Sequence, residues 1–404
     1  MYYNPQTKQW GHQLSEETIV WGKNNQPLAK ITDSSPSMYS FRVIAKHRKI
    51  GPVIGILTSE HNRKPFAGNQ KTFLRIHVAL QKKGGIVFIF TPNCVSNGGV
   101  DGYFYHPQAK SWVKGSFPYP DLIYNRIPTP QEEQTTSMKK TFTWIKQNKI
   151  PYFNPHFFNK WDTFKQLSKH TWLQQFLPET ELLTSKKQLS AWLRNGHSVY
   201  LKPAHGHKGL GICSLSRRSQ RQFCYQDQQL KQTFSSFQEL YDFLLPKLKQ
   251  RNYILQEYIH LNQYHGKTYD FRVHVQRVQR TWSVTGIGVR CAPEGGLTTH
   301  VPRGGSILSL HQITPMLNKQ RLHMLAITTA KTLEKAYGRL GELSLDVGRD
   351  KQGHLWILEA NSKPMVFDEQ SIKRKGIETL IQTFYGDSGF RWESDDDEYS
   401  DNNS

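Results

Sequence analysis

The chain has 404 residues, more than a single hydrophobic core usually supports, so two or more packed units are expected. Hydrophobic residues make up 37% and charged residues 21%, which excludes wholesale disorder, and the longest apolar runs are strand-sized and far too short to span a membrane. The formal net charge is +21, and because Glu393 to Ser404 hold six acids and no base, the rest of the chain carries +27, a body able to attract nucleic acid, an anionic polymer or a small anionic ligand.

Met1 to Pro5 show no basic region followed by an apolar stretch, so no secretory signal is read and the expected location is cytoplasmic. Residues 1–50, with two tryptophans and a turn-rich stretch at Asp33 to Ser37, read as a small β-rich lead-in. The pattern then changes. Val53 to Leu57 is an apolar run of strand length, Lys71 to Lys82 carries Phe73, Ile76, His77 and Leu80 at helical spacing, and Ile86 to Phe90 is a second buried strand. Strand, helix and strand at this length predict a βαβ unit and a parallel sheet. A short strand within Pro118 to Arg126, a helix over Gln131 to Asn148 and a strand at Pro151 to Asn154 complete an α/β domain spanning 51–155.

Beyond it, helices are expected at Trp161 to Phe176 and Ser185 to Arg194, followed by two strands flanking a glycine-rich loop between Val199 and Leu215. A polar, glutamine-rich stretch, Ser216 to Gln232, is read as a separator before a helix at Phe237 to Lys249. Strands follow at Tyr253 to Ile259, Asp270 to Arg277 and Thr281 to Arg290. A helix at Leu322 to Tyr337 leads to a hairpin of Leu343 to Val347 and Leu355 to Asn361. The four cysteines, Cys94, Cys213, Cys224 and Cys291, are widely spaced without a C-x-x-C pair and read as ordinary thiols.

Four elements could carry chemistry. Lys202 ends a strand and is followed by Gly206, Gly209 and Gly211, with His205, His207 and Lys208 between. Glycines let backbone N–H groups face a phosphate, and lysine supplies the cation. The chain returns as a strand at Ile212 rather than opening a helix, so this is a hairpin flap or, on the plainer reading, a tight hairpin. In the C-terminal hairpin Glu359 and Asn361 share a strand face, and a turn at Lys351 to His354 places Asp346 opposite Glu359. Three such oxygen ligands suit a hard cation such as Mg2+. Gln256-Glu257 interrupts an apolar strand whose end could bond an adenine edge. Asp270 and Arg272 alternate with Phe271 and Val273, and Arg290 and Arg303 add cations suited to phosphate.

The order of these elements resembles the ATP-grasp superfamily from about Asn159 to Asn361. By that resemblance Lys160, in Asn159-Lys160-Trp161, touches the nucleotide phosphates (Lys165 is a substitute), and Lys202 holds the α- and β-phosphates. Gln256, Glu257 and Ile259 lie at the adenine hinge, Arg272 and Arg290 near the γ-phosphate or substrate, and Asp346, Glu359 and Asn361 coordinate Mg2+. Gly55-Ile56-Leu57-Thr58, Pro65-Phe66, Pro120 to Arg126 and Asn159-Lys160-Trp161 further resemble the YheC/YheD proteins of endospore-forming bacilli, up to about residue 385. The resemblance implies an α/β pre-ATP-grasp domain, then an ATP-grasp domain at 156–390 whose two α+β subdomains clamp the nucleotide, then an acidic disordered tail at 391–404. It implies ATP and Mg2+ as cofactors and an ATP-dependent carboxylate–amine ligase acting on an amino acid, peptide or polymer, with spore coat proteins as partners. The rival reading is a non-catalytic coat assembly protein retaining the nucleotide fold. One departure is Thr298-Thr299-His300, where many ATP-grasp ligases carry Asn after Thr. No nucleic-acid-binding module is recognisable.

Overall fold

The structure, a computed structural model, describes every residue except 16–17, 33–37, 195–197, 207–208, 297–298, 300–303, 314 and 393–404. The turn-rich stretch at 33–37, His207, Lys208, His300, Arg303 and the acidic end of the chain therefore lie outside the described residues.

The β-rich lead-in forms a seven-stranded sheet, from Tyr2–Asn4 to Lys49–Gly51. Its aromatic residues do not make a core of their own. Trp10 lies between Tyr3 at 4.7 Å and Phe117 of the next sheet at 5.4 Å, and Tyr3 meets Phe104 edge-on at 5.0 Å. The next sheet has the parallel centre that the βαβ pattern predicts. Strand Val53–Leu57 pairs in parallel with Ile86–Phe90 on one side and with Leu122–Asn125 on the other. All five residues of Val53–Leu57 are buried, as a central parallel strand covered on both faces requires. Helix Gln70–Lys82 packs Phe73, Ile76, His77 and Leu80 inward, and Asn69 caps it by accepting from the Thr72 amide. Strands Gly99–His106 and Ser111–Phe117 form an antiparallel hairpin at one edge of this sheet, a pair not foreseen from the sequence pattern.

Two expected helices are each broken. The segment 131–148 forms Pro130–Glu133 and Thr136–Gln147, because Thr135 leaves the helix to accept a hydrogen bond from the Met138 amide. The segment 161–176 forms Lys160–Leu167 and Thr171–Gln174, separated at Ser168 to His170.

A third sheet, wholly antiparallel, runs Thr180–Leu182, Tyr253–Glu257, Val199–Pro203, Cys213–Ser219, Gln222–Gln226, Lys231–Phe234. The expected polar separator at 216–232 is thus sheet. Phe223 and Tyr225 alternate inward at 6% and 0% exposed while arginines and glutamines take the outer positions, so composition masked the period of two. A fourth sheet runs Ser306–Leu308, Thr281–Cys291, Lys267–Val278, Glu342–Arg349, Leu355–Asn361. Along Lys267–Val278, Tyr269, Phe271, Val273 and Val275 join the core that buries Leu322, Leu325, Ala330 and Leu333 of helix Lys319–Tyr337. The alternate residues Asp270, Arg272, His274 and Gln276 therefore occupy the opposite face. Helix Gln370–Ser388 covers part of that face. Its Leu380, Ile381, Phe384 and Tyr385 share a core with Ile54, Ile56, Tyr124 and Phe153, so it ties the fourth sheet to the first domain. Gly376 permits the approach, since a Cβ there would meet His274 at 3.0 Å. Among the described residues no helix is long and apolar enough to cross a membrane.

Candidate functional site: a cleft between two sheets

A cleft of about 220 Å³ lies between the third and fourth sheets. On one side stand Tyr200, Lys202, Gly209 and the connection Gln256 to Leu261, and on the other Asp270, Arg290, Thr299, Asp346 and Glu359. Lys202 reaches it because Val199–Pro203 pairs antiparallel with Cys213–Ser219, making the glycine segment the turn of a hairpin. Gly209 and Gly211 take φ values of +65° and +77°, a conformation that strongly favours glycine. Gly206 does not line the cleft, and its carbonyl accepts from Lys160 Nζ at 3.2 Å.

Lys202 is 9% exposed, and its ammonium donates to Gln256 Oε1 and lies 5.2 Å over the Tyr200 ring. Gln256 is itself fixed by donating to Thr180 Oγ1 at 3.0 Å. Burial pushes the Lys202 pKa down to about 8, against the charge of Glu359 and with that of Lys160. A second lysine arrives from the start of a helix. Asn159 caps Lys160–Leu167, and Lys160 Nζ bonds Glu359 Oε1 at 2.9 Å. Lys165 instead pairs with Asp162 at 2.9 Å, and Lys160, though not among the residues lining the cleft, is the one that meets its Glu359.

Asp346 and Glu359 stand opposite each other in the C-terminal hairpin, the register that its turn predicts, with a bulge immediately after Asp346. Asp346 Oδ1 accepts from Arg272 Nη1 at 3.1 Å. Asn361 lies two residues beyond Glu359, opposite Ser344, and is not among the residues lining the cleft. Gln256, Glu257 and Ile259 all line it, as does Arg290. Arg272 is buried beside it with its guanidinium 5.5 Å from the Phe367 ring.

Asp270, read from the sequence as a polar partner of Arg272 without an assigned role, lines the cleft, and so does Thr299, which had no role assigned either. Asp270 Oδ2 accepts from Thr299 Oγ1 at 2.5 Å, and burial followed by the charge of Asp346 pushes its pKa up to about 7. The Asp270-x-Arg272 alternation was the available signal. Asp270 Oδ1 and Arg272 Nε are buried without a partner among the described residues. Polar atoms left in that state are what an incoming ligand would satisfy.

The donor set suits a magnesium–nucleotide better than a free metal. Among the described residues no three His, Cys, Asp or Glu side chains gather into a ready metal cage. Two neighbouring carboxylates amid lysines and arginines match how Mg2+ is commonly held, by one or two carboxylates with phosphate oxygens and water. Two α+β lobes facing each other across such a cleft define an ATP-grasp fold.

Comparison with known proteins agrees. The family model described as YheC/D-like ATP-grasp matches residues 149–385. The endospore coat-associated protein YheD of Bacillus subtilis (strain 168) is 30% identical over 333 residues, covering 78% of this chain and 73% of that protein. The endospore coat-associated protein YheC of the same strain is 28% identical over 296 residues, covering 69% and 81%. The crystal structure of D-alanyl-alanine synthetase A from Vibrio cholerae O1 biovar eltor str. N16961 is 10% identical, superposes with a TM-score of 0.50 and covers 84% of this chain and 98% of that one, a likeness of fold. The chain belongs to the YheC/YheD-like ATP-grasp family.

Proposed function

We propose that the protein is a Mg2+–ATP-dependent carboxylate–amine ligase. The observation that carries this reading is the convergence of Lys160, Lys202, Arg272 and Arg290, from four separate segments, around Asp346 and Glu359. In the reaction an oxygen of the substrate carboxylate attacks the γ-phosphorus of ATP and ADP leaves. The amine nitrogen then attacks the acyl carbon of the resulting acyl phosphate, phosphate departs and the amine proton passes to solvent, leaving an amide. Lys160 and Lys202 neutralise the phosphates, Gly206, Gly209 and Gly211 let the flap backbone approach them, and Gln256, Glu257 and Ile259 border the adenine. Arg272 and Arg290 stabilise charge at the transferring phosphoryl group, where positioned cations contribute most of the catalysis. Asp346 and Glu359, with Asn361 beside them, would hold Mg2+, which supplies further charge neutralisation at the phosphates. Glu359 pairs with Lys160 and Asp346 with Arg272, which fixes these carboxylates in position.

ATP-dependent phosphate release in a screen of acids and amines tests the reading. Release that requires both substrates and is lost in Glu359→Ala supports it, and release that survives Glu359→Ala contradicts it. A second reading, a coat assembly protein that binds nucleotide without turnover, is favoured by the names of the relatives, both called endospore coat-associated. Tight nucleotide binding with no phosphate release under any substrate pair selects it.

A further inference from the structure

Helices Gln70–Lys82 and Gln370–Ser388 pack against each other, and between them opens a cavity of about 60 Å³. Its walls include Ile76, Phe367, Ile372 and Leu380, and it also carries Arg75, Arg126 and Lys373. Arg126 is engaged, with Glu342 at 3.5 Å and the Pro364 carbonyl at 3.0 Å. Arg75 and Lys373 make no ion pair and no side-chain hydrogen bond among the described residues. Glu342, the one acid of the lining, is already held by Tyr124, Arg126, His274 and Gln276.

The first wall of this opening is free of acids, whereas the second carries Asp368, Glu369 and Glu378 beside Lys373, Arg374 and Lys375. From His61 to Lys83 the chain holds six Lys or Arg and no Asp or Glu. Lys71 and Arg75 are exposed one turn apart on the same helix face. Beyond the second helix, burial and then the charges of Lys319 and Lys375 hold the His323 imidazole below its ordinary range.

The cavity and the cleft share a wall. Asp270, Arg272 and His274 follow one another on one face of strand Lys267–Val278. Asp270 lines the cleft and His274 lines the cavity. Arg272 stands between them, bonded to Asp346 of the cleft at 3.1 Å and 5.5 Å from the ring of Phe367, a wall of the cavity.

We propose that the groove between helices Gln70–Lys82 and Gln370–Ser388 receives a carboxylate-rich peptide segment and directs one of its carboxylates towards Arg272. This rests on the ligase reading and names the class of acid the site takes. Charge complementarity favours an acidic chain over a neutral one. A peptide is favoured over single-stranded nucleic acid because stacking platforms need accessible rings. No Phe, Tyr or Trp side chain is among the exposed residues described, and the exposed apolar groups on the two walls are Val78 and Met365.

The test uses the full chain and a short fluorescein-labelled poly-L-glutamate followed by anisotropy, with Mg2+–ATP stabilisation measured alongside. The wild type should bind the peptide with an affinity that falls as salt rises. The double variant Arg75→Glu/Lys373→Glu should weaken it roughly tenfold or more while its stabilisation by Mg2+–ATP is kept. The milder Arg75→Gln/Lys373→Gln serves if charge reversal impairs folding, and a smaller loss in the same direction is expected. No binding by the wild type, or unchanged affinity in both variants, overturns the proposal. So does a single-stranded oligonucleotide of equal charge that competes as well as unlabelled peptide. Failure of the ligase reading is distinguishable, because it removes the Mg2+–ATP effect from the wild type and leaves peptide binding in place.

Discussion

Glu342 and Asp270 sit on neighbouring strands of one sheet, and both are buried, at 4% and 7% exposed. Their surroundings differ. Glu342 receives Tyr124 Oη, Arg126 Nη1 at 3.5 Å, His274 Nε2 at 3.2 Å and Gln276 Nε2 at 3.2 Å. Burial alone would push its carboxyl up, but the bond and charge of His274, the charge of Arg126 and the Tyr124 bond outweigh it, and the pKa lies below the ordinary value. Asp270 has one donor among the described residues, Thr299, and stands near Asp346 of the adjacent strand on the same side of the cleft. There burial and the Asp346 charge outweigh Arg290, Arg272 and the Thr299 bond, and the pKa rises to about 7. Burying a charge therefore does not mark a site in this molecule. A buried charge left short of partners beside a cavity is the stronger candidate for one, and the satisfied one ties together segments of the second and fourth sheets.

That contrast can be broken most strongly at Glu342. Glu342→Ala leaves Arg126 and its other partners buried without their anion, and should cost about 3–5 kcal/mol in urea unfolding at neutral pH. Because the folded pKa is depressed, the stabilisation is present above the unfolded value of 4.5 and is lost as pH falls through the lower folded value. The penalty should therefore shrink on acidification. A cost below about 1 kcal/mol at neutral pH would show the network to be incidental.

Asp270→Asn should behave oppositely and on a smaller scale. A folded pKa raised from 3.8 to about 7 means that the wild type loses stability as pH climbs through that window. In chelator-treated protein, Asp270→Asn should therefore gain relative to the wild type by about 1 kcal/mol or more between pH 4 and pH 8. A variant that instead loses ground as pH rises would show Asp270 to be a satisfied structural acid like Glu342.

How much of this was legible in the sequence depended on how far apart the partners lie in the chain. The opposition of Asp346 and Glu359 is local, set by strand alternation and a turn in which the Gly353 amide donates to Asp350 O at 3.1 Å. Lys202 before its glycines is equally local, and the helix-capping Asn159 marks Lys160. The Glu342 network draws Tyr124 and Arg126 from the end of strand Leu122–Asn125 and its exit, and His274 and Gln276 from strand Lys267–Val278, and no spacing links them. Helix Gln370–Ser388 was missed for a related reason. It buries Gly376, Thr379 and Thr383 together with Ile372, Leu380 and Phe384, so its inward face is not cleanly apolar. Strand Gln222–Gln226 and the edge strand Lys231–Phe234 hid behind glutamines that occupy outward positions.

The most direct test of the central claim, that this cleft is a magnesium–nucleotide site, is the urea unfolding free energy with and without Mg2+–ATP for the wild type and for Lys202→Met. At a hundred times its dissociation constant a ligand of the folded state alone adds about 2.7 kcal/mol. The wild type should show a gain of that order that requires both Mg2+ and ATP, and Lys202→Met should lose most of it. Equal stabilisation of the two proteins, or none in the wild type, would contradict the assignment.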